Sequence, residues 1–346
     1  MKTEMMAAVL YGKEQLRVES VAVPELGEGD LLVRVKAALT CGTDVKVFLR
    51  GYHARMIVPP AVFGHELAGD IVGVGEAVTK YRMGQRVVAA NSAPCHECYY
   101  CRRGVENLCE NLLFNNGAYA EYIRIPARIV EKNTYVIPDH VGYQDAALAE
   151  PLACVLRGVE ETGIGPEDTV AVIGLGPIGL MFVRLAKVYG ARVIALGRRQ
   201  TQLDRAARMG ADEVVAVTDG LDPAKAVKEL TGGRGVDAAI EAVGTPATWE
   251  MAVQMVRKGG RVNFFGGCPS DGRITLDTSF LHYSEITCKA TFHHTPVHIR
   301  RALDVISEGN IPAQDFVKSQ EPLTNLLEVM RYLTSHNGHL KTAIIP

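Results

Sequence analysis

Four cysteines, Cys95, Cys98, Cys101 and Cys109, follow one another in C-x2-C-x2-C-x7-C spacing, and upstream of them stand Cys41 and the adjacent pair His65 and Glu66. Thiolate, imidazole and carboxylate are the donors Zn²⁺ takes. Four thiolates saturate its tetrahedron, whereas a mixed Cys, His and Glu set leaves a position for water or an alcohol. Two metal sites are therefore expected, a closed structural one at the four cysteines and an open catalytic one at Cys41, His65 and Glu66. Disulfide pairing is the competing reading of close-set cysteines. Residues Met1 to Met6 lack the apolar core of a signal peptide, so the expected compartment is the reducing cytoplasm, where metal prevails over disulfides. Cys154, Cys268 and Cys288 have no such spacing and read as small buried hydrophobes.

A second constellation lies further on. Val170 to Ile173 runs into Gly174-Leu175-Gly176-Pro177-Ile178-Gly179 and then a helical stretch. Glycines at a strand-to-helix turn let the backbone approach a pyrophosphate closely, and the helix N-terminus stabilises its charge, so a dinucleotide is expected there. In an NAD site an acid closes the next strand and binds the ribose hydroxyls. Here Arg192 to Leu196 ends in Gly197-Arg198-Arg199, which removes the acid and supplies two guanidinium groups for a 2′-phosphate. The expected cofactor is NADP(H) rather than NAD(H).

The elements that must position these residues fall into two kinds. To about residue 150, short β-branched runs (Leu31–Val35, Ile71–Val74, Arg86–Ala90, Ala120–Ile125) alternate with glycine and proline, which suggests a mostly β domain with the metal residues on its loops. From Thr169, six strand-like runs alternate with helical stretches such as Leu180–Tyr189, Thr201–Met209 and Thr248–Arg257, the pattern of a doubly wound α/β parallel sheet. The tail has helical pattern over Val297–Ser307 and Pro322–Ser335, then a final run, Thr342–Ile345. Its pattern fits either domain. A chain of 346 residues, 47% hydrophobic and 22% charged, is long enough for two cores. A net charge of −2 gives no field for nucleic acid or anionic lipid. The longest uncharged apolar run, Val170 to Val183, is too short for a bilayer, so no membrane segment is expected.

Gly64, His65, Glu66, Gly69, Gly75 and Val78, read together in GHELAGDIVGVGEAV, match the signature of zinc-containing alcohol dehydrogenases. The whole chain resembles the medium-chain zinc dehydrogenases in motif order and length. With Glu66, and Glu150 in Ala149-Glu150-Pro151-Leu152, it resembles their sorbitol and polyol branch. The resemblance implies a GroES-like catalytic domain (1–152 completed by 291–346) and a Rossmann-like domain at 153–290. It implies that Cys41, His65 and Glu66 hold the catalytic zinc and that Glu150 is a fourth ligand or an acceptor for zinc-bound water. A dication with one thiolate and one carboxylate is already neutral, so Glu150 is expected to be an exchangeable or outer group.

The same resemblance implies hydride transfer between a secondary alcohol and a nicotinamide, with Thr43 passing the alcohol proton outward. Lys46 stands where many relatives have a relay histidine. Val243-Gly244 and Phe265-Gly266 are expected at ribose and nicotinamide, Lys341 at the pyrophosphate, and the assembly is expected to be a homodimer or homotetramer. Phe48, Tyr52, His53, Phe114-Asn115-Asn116 and Phe292-His293-His294 are candidates to line a cleft. Their mixture of aromatic and hydrogen-bonding groups suits a polyol, cyclitol or sugar derivative. L-Threonine 3-dehydrogenase, which shares the CGTD segment, is the alternative within enzymes. A non-catalytic NADPH-binding protein, crystallin-like or redox-sensing, is the alternative outside them.

Overall fold

The computed structural model describes residues 2–53, 55–335 and 339–346. The chain divides into two compact units, Met1–Ala153 with His294–Pro346, and Cys154–His293.

The first unit is built on a seven-stranded sheet. Its strands run in the order Thr134–Val136, Arg86–Ala89, Glu66–Val74, Leu31–Leu39, Lys341–Ile345 and Val317–Pro322, with Tyr122–Ile125 also paired to Leu31–Leu39. The two central strands are buried along most of their length, and the core between sheet and helices includes Val33, Phe48, Phe63, Tyr119 and Ile123. The last strand answers the question the tail left open. It pairs antiparallel with the first domain's central strand, Ala343 opposite Leu39 and Ile344 opposite Ala38. Leu39 meets Glu66 on its other side. This register brings three segments remote in sequence to one strand end.

The second unit is a six-stranded parallel sheet. Numbered along the chain, its strands lie in the order 3-2-1-4-5-6, with Thr169–Ile173 beside Arg192–Gly197 and Val236–Glu241. This is the doubly wound order whose crossover accepts a dinucleotide outside the strand ends. Besides Ala149–Thr162, which leads into this unit, two helices between its strands lie outside the stretches read from the sequence, Pro223–Leu230 and Thr278–Tyr283. Each is short and begins at an aspartate that caps it, Asp222 accepting from Ala224 and Lys225 N–H and Asp277 from Phe280 N–H. The Asp-Pro start of the first was a legible signal. Cys288 is exposed rather than buried, because its strand Thr287–Ala290 forms the edge of this sheet. Among the described residues, no helix is long and apolar enough to cross a membrane.

Candidate metal centres and dinucleotide loop

The four-cysteine loop is closed at its base by the pairing of Ser92–Ala93 with Leu113–Phe114. Its four sulfurs lie within 4.8 Å of one another. Cys95 and Cys109 are 3.4 Å apart, Cys98 and Cys109 3.9 Å, and Cys95 and Cys101 4.0 Å. A zinc tetrahedron with 2.3 Å Zn–S bonds has an S···S edge of about 3.8 Å, so the cage fits that ion. Backbone amides support the anionic sulfurs. Cys95 N–H donates to Cys109 Sγ at 3.3 Å, and the N–H groups of Cys101 and Glu110 hold the Cys98 thiol down to about 6. Burial pushes Cys101 up to about 12, so its ionisation calls for a cation.

The second set is assembled from further afield. Cys41 caps the N-terminus of the helix Gly42–Arg50: its Sγ accepts from Thr43 N–H at 3.4 Å, and its own N–H donates to Asp44 at 3.1 Å. Asp44 is 1% exposed and also binds His65 Nδ1 at 3.0 Å and the Tyr119 hydroxyl at 2.7 Å. With Nδ1 fixed on a carboxylate, Nε2 is the nitrogen left to ligate a metal, the arrangement that orients metal-binding imidazoles. Burial opposes charging of His65, but Asp44 and Cys41 outweigh it and raise its pKa well above the ordinary value. The Tyr119 ring fits only because residue 64 is glycine. Gly64 has φ +94°, and a Cβ there would come within 2.6 Å of the ring.

The donor atoms of Cys41, His65 and Glu66 lie within 4.8 Å of one another, a thiolate, imidazole and carboxylate set suited to zinc. Glu66 is fully buried, and burial pushes it up to about 7 against the pull of Lys341. The Lys341 ammonium contacts both Glu66 oxygens, at 2.6 and 2.7 Å, and the Thr40 carbonyl at 3.1 Å. Burial works against that charge, yet Glu66 and Cys41 keep the Lys341 pKa raised. These contacts correct the expectation that Lys341 faces a pyrophosphate. Its three donors are taken inside the first unit, because pairing of the last strand delivers it beside Thr40, where Thr342 N–H donates to Thr40 Oγ1 at 2.8 Å.

Lys341 also changes the charge count, because its ammonium offsets Glu66 and charge alone no longer keeps Glu150 off a metal. Glu150 nonetheless lies outside the three-atom set. It is buried in the first turn of the helix Ala149–Thr162, its pKa raised by that burial, and it accepts from the Asn91 side chain.

Thr43 is half-buried at the start of its helix and Lys46 is exposed. Of the cleft candidates, Phe48 is corrected: it is 2% exposed and belongs to the core, on the inward face of its helix. His53 is half-buried, accepts from Arg55 and Met56 N–H, and is lowered by burial and by nearby His65. Asn115 and Asn116 donate to the carbonyls of Arg124 and Met56. Tyr52 and Phe292 are exposed. His293, at φ +65°, and Phe292 have carbonyls bound by Arg157, while His294 is buried on Asn91.

In the second unit the strand Thr169–Ile173 ends at Gly174, and Pro177–Val188 follows as a helix whose N-cap, Gly176, provides no side-chain cap. Its first-turn amides are thus left for a ligand. A Cβ on Gly176 would meet nothing within 4 Å, whereas one on Gly179 would lie 1.7 Å from the Gly174 carbonyl. The loop is tight below and open above, which suits a pyrophosphate. Leu196 is followed by buried Gly197 and by exposed Arg198 and Arg199. Val243 and Gly244 N–H both donate to the Glu241 carboxylate, and Phe265 and Gly266 N–H to its carbonyl. Glu241, fully buried and raised by that burial, therefore shapes both predicted cofactor turns. Sequence reasoning missed it, although an acid directly after the apolar run Ala238-Ala239-Ile240 at the strand's end was a signal.

Comparison with known proteins gives these sites a context. Residues 27–139 match the alcohol dehydrogenase GroES-like domain family and residues 177–308 the zinc-binding dehydrogenase family. Sorbitol dehydrogenase of Bacillus subtilis is 31% identical over 99% of this chain and 97% of its own. L-Threonine 3-dehydrogenase of Bacillus licheniformis is 38% identical over 73% of each. Among solved structures, a zinc-binding dehydrogenase of Sinorhizobium meliloti bound to NADP superposes with a TM-score of 0.90 at 30% identity, covering 100% of both chains. The chain belongs to the zinc-containing medium-chain alcohol dehydrogenases, oxidoreductases acting on CH–OH groups, and to their polyol dehydrogenase branch.

Proposed function

We propose that this enzyme interconverts a secondary alcohol of a polyol, cyclitol or sugar derivative with its ketone, favouring NADP(H) over NAD(H), with one catalytic and one structural zinc per chain. The observation that carries the reading is the set of Cys41, His65 and Glu66, each with its own supporting partner in Thr43 N–H, Asp44 and Lys341. These three would hold the catalytic zinc, and Cys95, Cys98, Cys101 and Cys109 the structural one. When bound, the catalytic zinc would acidify an alcohol hydroxyl and the nicotinamide would accept the hydride from its carbon.

The chain's own residues do the rest. Asp44, fixed by Tyr119, keeps His65 in the tautomer that presents Nε2. Lys341 keeps Glu66 from cancelling the positive charge an ionising hydroxyl needs. Thr43 takes the alcohol proton, with solvent or Lys46 completing its exit. Gly174, Gly176, Pro177, Ile178 and Gly179 seat the pyrophosphate, and Arg198 and Arg199 bind the 2′-phosphate.

L-Threonine is the second reading, favoured by the relative that acts on it. An α-carboxylate needs a cation, and Lys341 beside the metal ligands is already held by Glu66 and Thr40, which supports the polyol reading. The test is kcat/KM with NADPH and NADH against a panel of polyols, cyclitols, their ketones and L-threonine. Turnover of polyols or cyclitols with NADP(H) preferred is expected. Turnover confined to threonine, or an NADH preference, would overturn the corresponding half. A homo-oligomer is part of the proposal, and a monomer by light scattering would remove it.

A further inference from the structure

We infer that Asn91 and His294 form a tether that holds Glu150 beside the Cys41, His65 and Glu66 set and governs when its carboxylate joins that set. The inference rests on the reading of that set as the catalytic metal site. Asn91 Oδ1 accepts from His294 Nε2 at 2.9 Å, and the Asn91 side chain donates to Glu150. His294 Nε2 is also 3.8 Å from Glu150 Oε1. Asn91 is 4% exposed, His294 2% and Glu150 7%, so no bulk solvent competes for these contacts.

An amide is the group this geometry requires, because its oxygen faces a donor and its nitrogen an acceptor. An aspartate at 91 would set one carboxylate against another. The three residues come from separate segments. Asn91 follows the strand Arg86–Ala89, with its carbonyl held by Asn115 N–H at 2.8 Å. Glu150 is in the first turn of its helix, and His294 precedes the helix Pro296–Ser307. A rigid anchor on two sides holds a carboxylate that burial, and the charge supplied by Lys341, would otherwise let move onto a cation. While the tether holds, the fourth metal position stays open to an alcohol. When it yields, Glu150 closes the position. Asn91 and His294 are thus positioning residues for ligand exchange.

The test uses cobalt-exchanged and zinc-loaded protein carrying Asn91→Leu, His294→Leu, Glu150→Gln, and each tether variant combined with Glu150→Gln. Cutting the tether should change the visible cobalt spectrum as the Glu150 carboxylate replaces the exchangeable fourth ligand. It should also slow release of the catalytic zinc to a chelator by about tenfold, the scale of outer-layer effects on metal affinity. In kinetics, kcat should fall more than KM changes. In the Glu150→Gln background both spectral and release effects should vanish, a coupling that mere loss of packing would not produce. Wild-type-like spectra and release in both tether variants, or effects that persist without the Glu150 carboxylate, would overturn the tether alone. Absence of any metal at Cys41 in the wild-type protein would overturn the tether together with the reading it rests on.

Discussion

The two proposed cysteine-containing metal sites differ in how the chain makes them. The four-cysteine cage takes all its ligands from residues 95–109 and orients them with the loop's own amides. The Cys41, His65 and Glu66 set is drawn from a helix cap and a strand end. It is held by Asp44, Tyr119 and Lys341, the last 275 residues from Glu66 in sequence. A closed site needs only spacing. An open site must keep a vacancy under strong charge, and that takes supports from separate parts of the first unit, a helix, a loop and the last strand. On the proposed reading, its chemistry therefore depends on residues outside the donor set.

The largest effects should separate the two sites outright. Cys98→Ser opens the cage, and structural zinc binding amounts to about 10 kcal/mol or more in small peptides, so loss of the cooperative unfolding transition is expected in calorimetry. Cys41→Ser should retain that transition and lose turnover to background. If Cys41→Ser unfolds and Cys98→Ser turns over, the roles are reversed.

Next in size is Lys341→Met, for which the four-cysteine cage has no counterpart. It leaves Glu66 buried without its countercharge, and breaking such a pair costs about 3–5 kcal/mol. Urea unfolding of metal-free protein should show that loss, and zinc should recover part of it. An unchanged midpoint would mean that the Lys341 contact does not carry the site. Thr43→Val should lower turnover by about 10²-fold, typical of lost acid–base assistance, with cofactor binding intact. Lys46→Ala should do less, since water can replace an exposed outer group. Equal turnover of Thr43→Val and wild type would reduce Thr43 to a turn residue at the start of its helix.

The smallest effect concerns the dinucleotide loop, which resembles the cage in being local. Arg198→Ala should weaken NADPH by about tenfold to a hundredfold, as charge-assisted bonds of about 1.5–3 kcal/mol imply, and leave NADH nearly unchanged. Unchanged NADPH affinity in isothermal titration would place the guanidinium in solvent, and equal weakening of both cofactors would place it on a group they share rather than on the 2′-phosphate. An acid at position 197 is a poorer probe, because its Cβ would come within 2.8 Å of Leu175 Cδ1.

The same distinction explains what was legible in the sequence. The cysteine spacing, the glycine loop and the six alternating strands are local patterns, and each appears in the structure close to where the sequence puts it. Phe48 was misread because a short helix has two faces and its aromatic residue lies on the inner one. Lys341 was misread because its partner is fixed by pairing of the first and last parts of the chain, which no local pattern records. Asn91 and Tyr119 were missed for the same reason, since their partners His294 and Asp44 are remote in sequence, whereas Glu241 was legible from its place at a strand end. Asp44 was within reach. An acid three residues after a helix-capping Cys41 is the capping-box position, and the structure forms that box.

The most direct test of the account is graded removal of metal by a chelator, with zinc content, turnover and unfolding followed on one sample. The account predicts two zinc ions per chain. The first should leave with turnover while the unfolding transition persists, and the second should leave with the fold. Full turnover in zinc-free protein, or a single zinc whose removal abolishes fold and activity together, would contradict it.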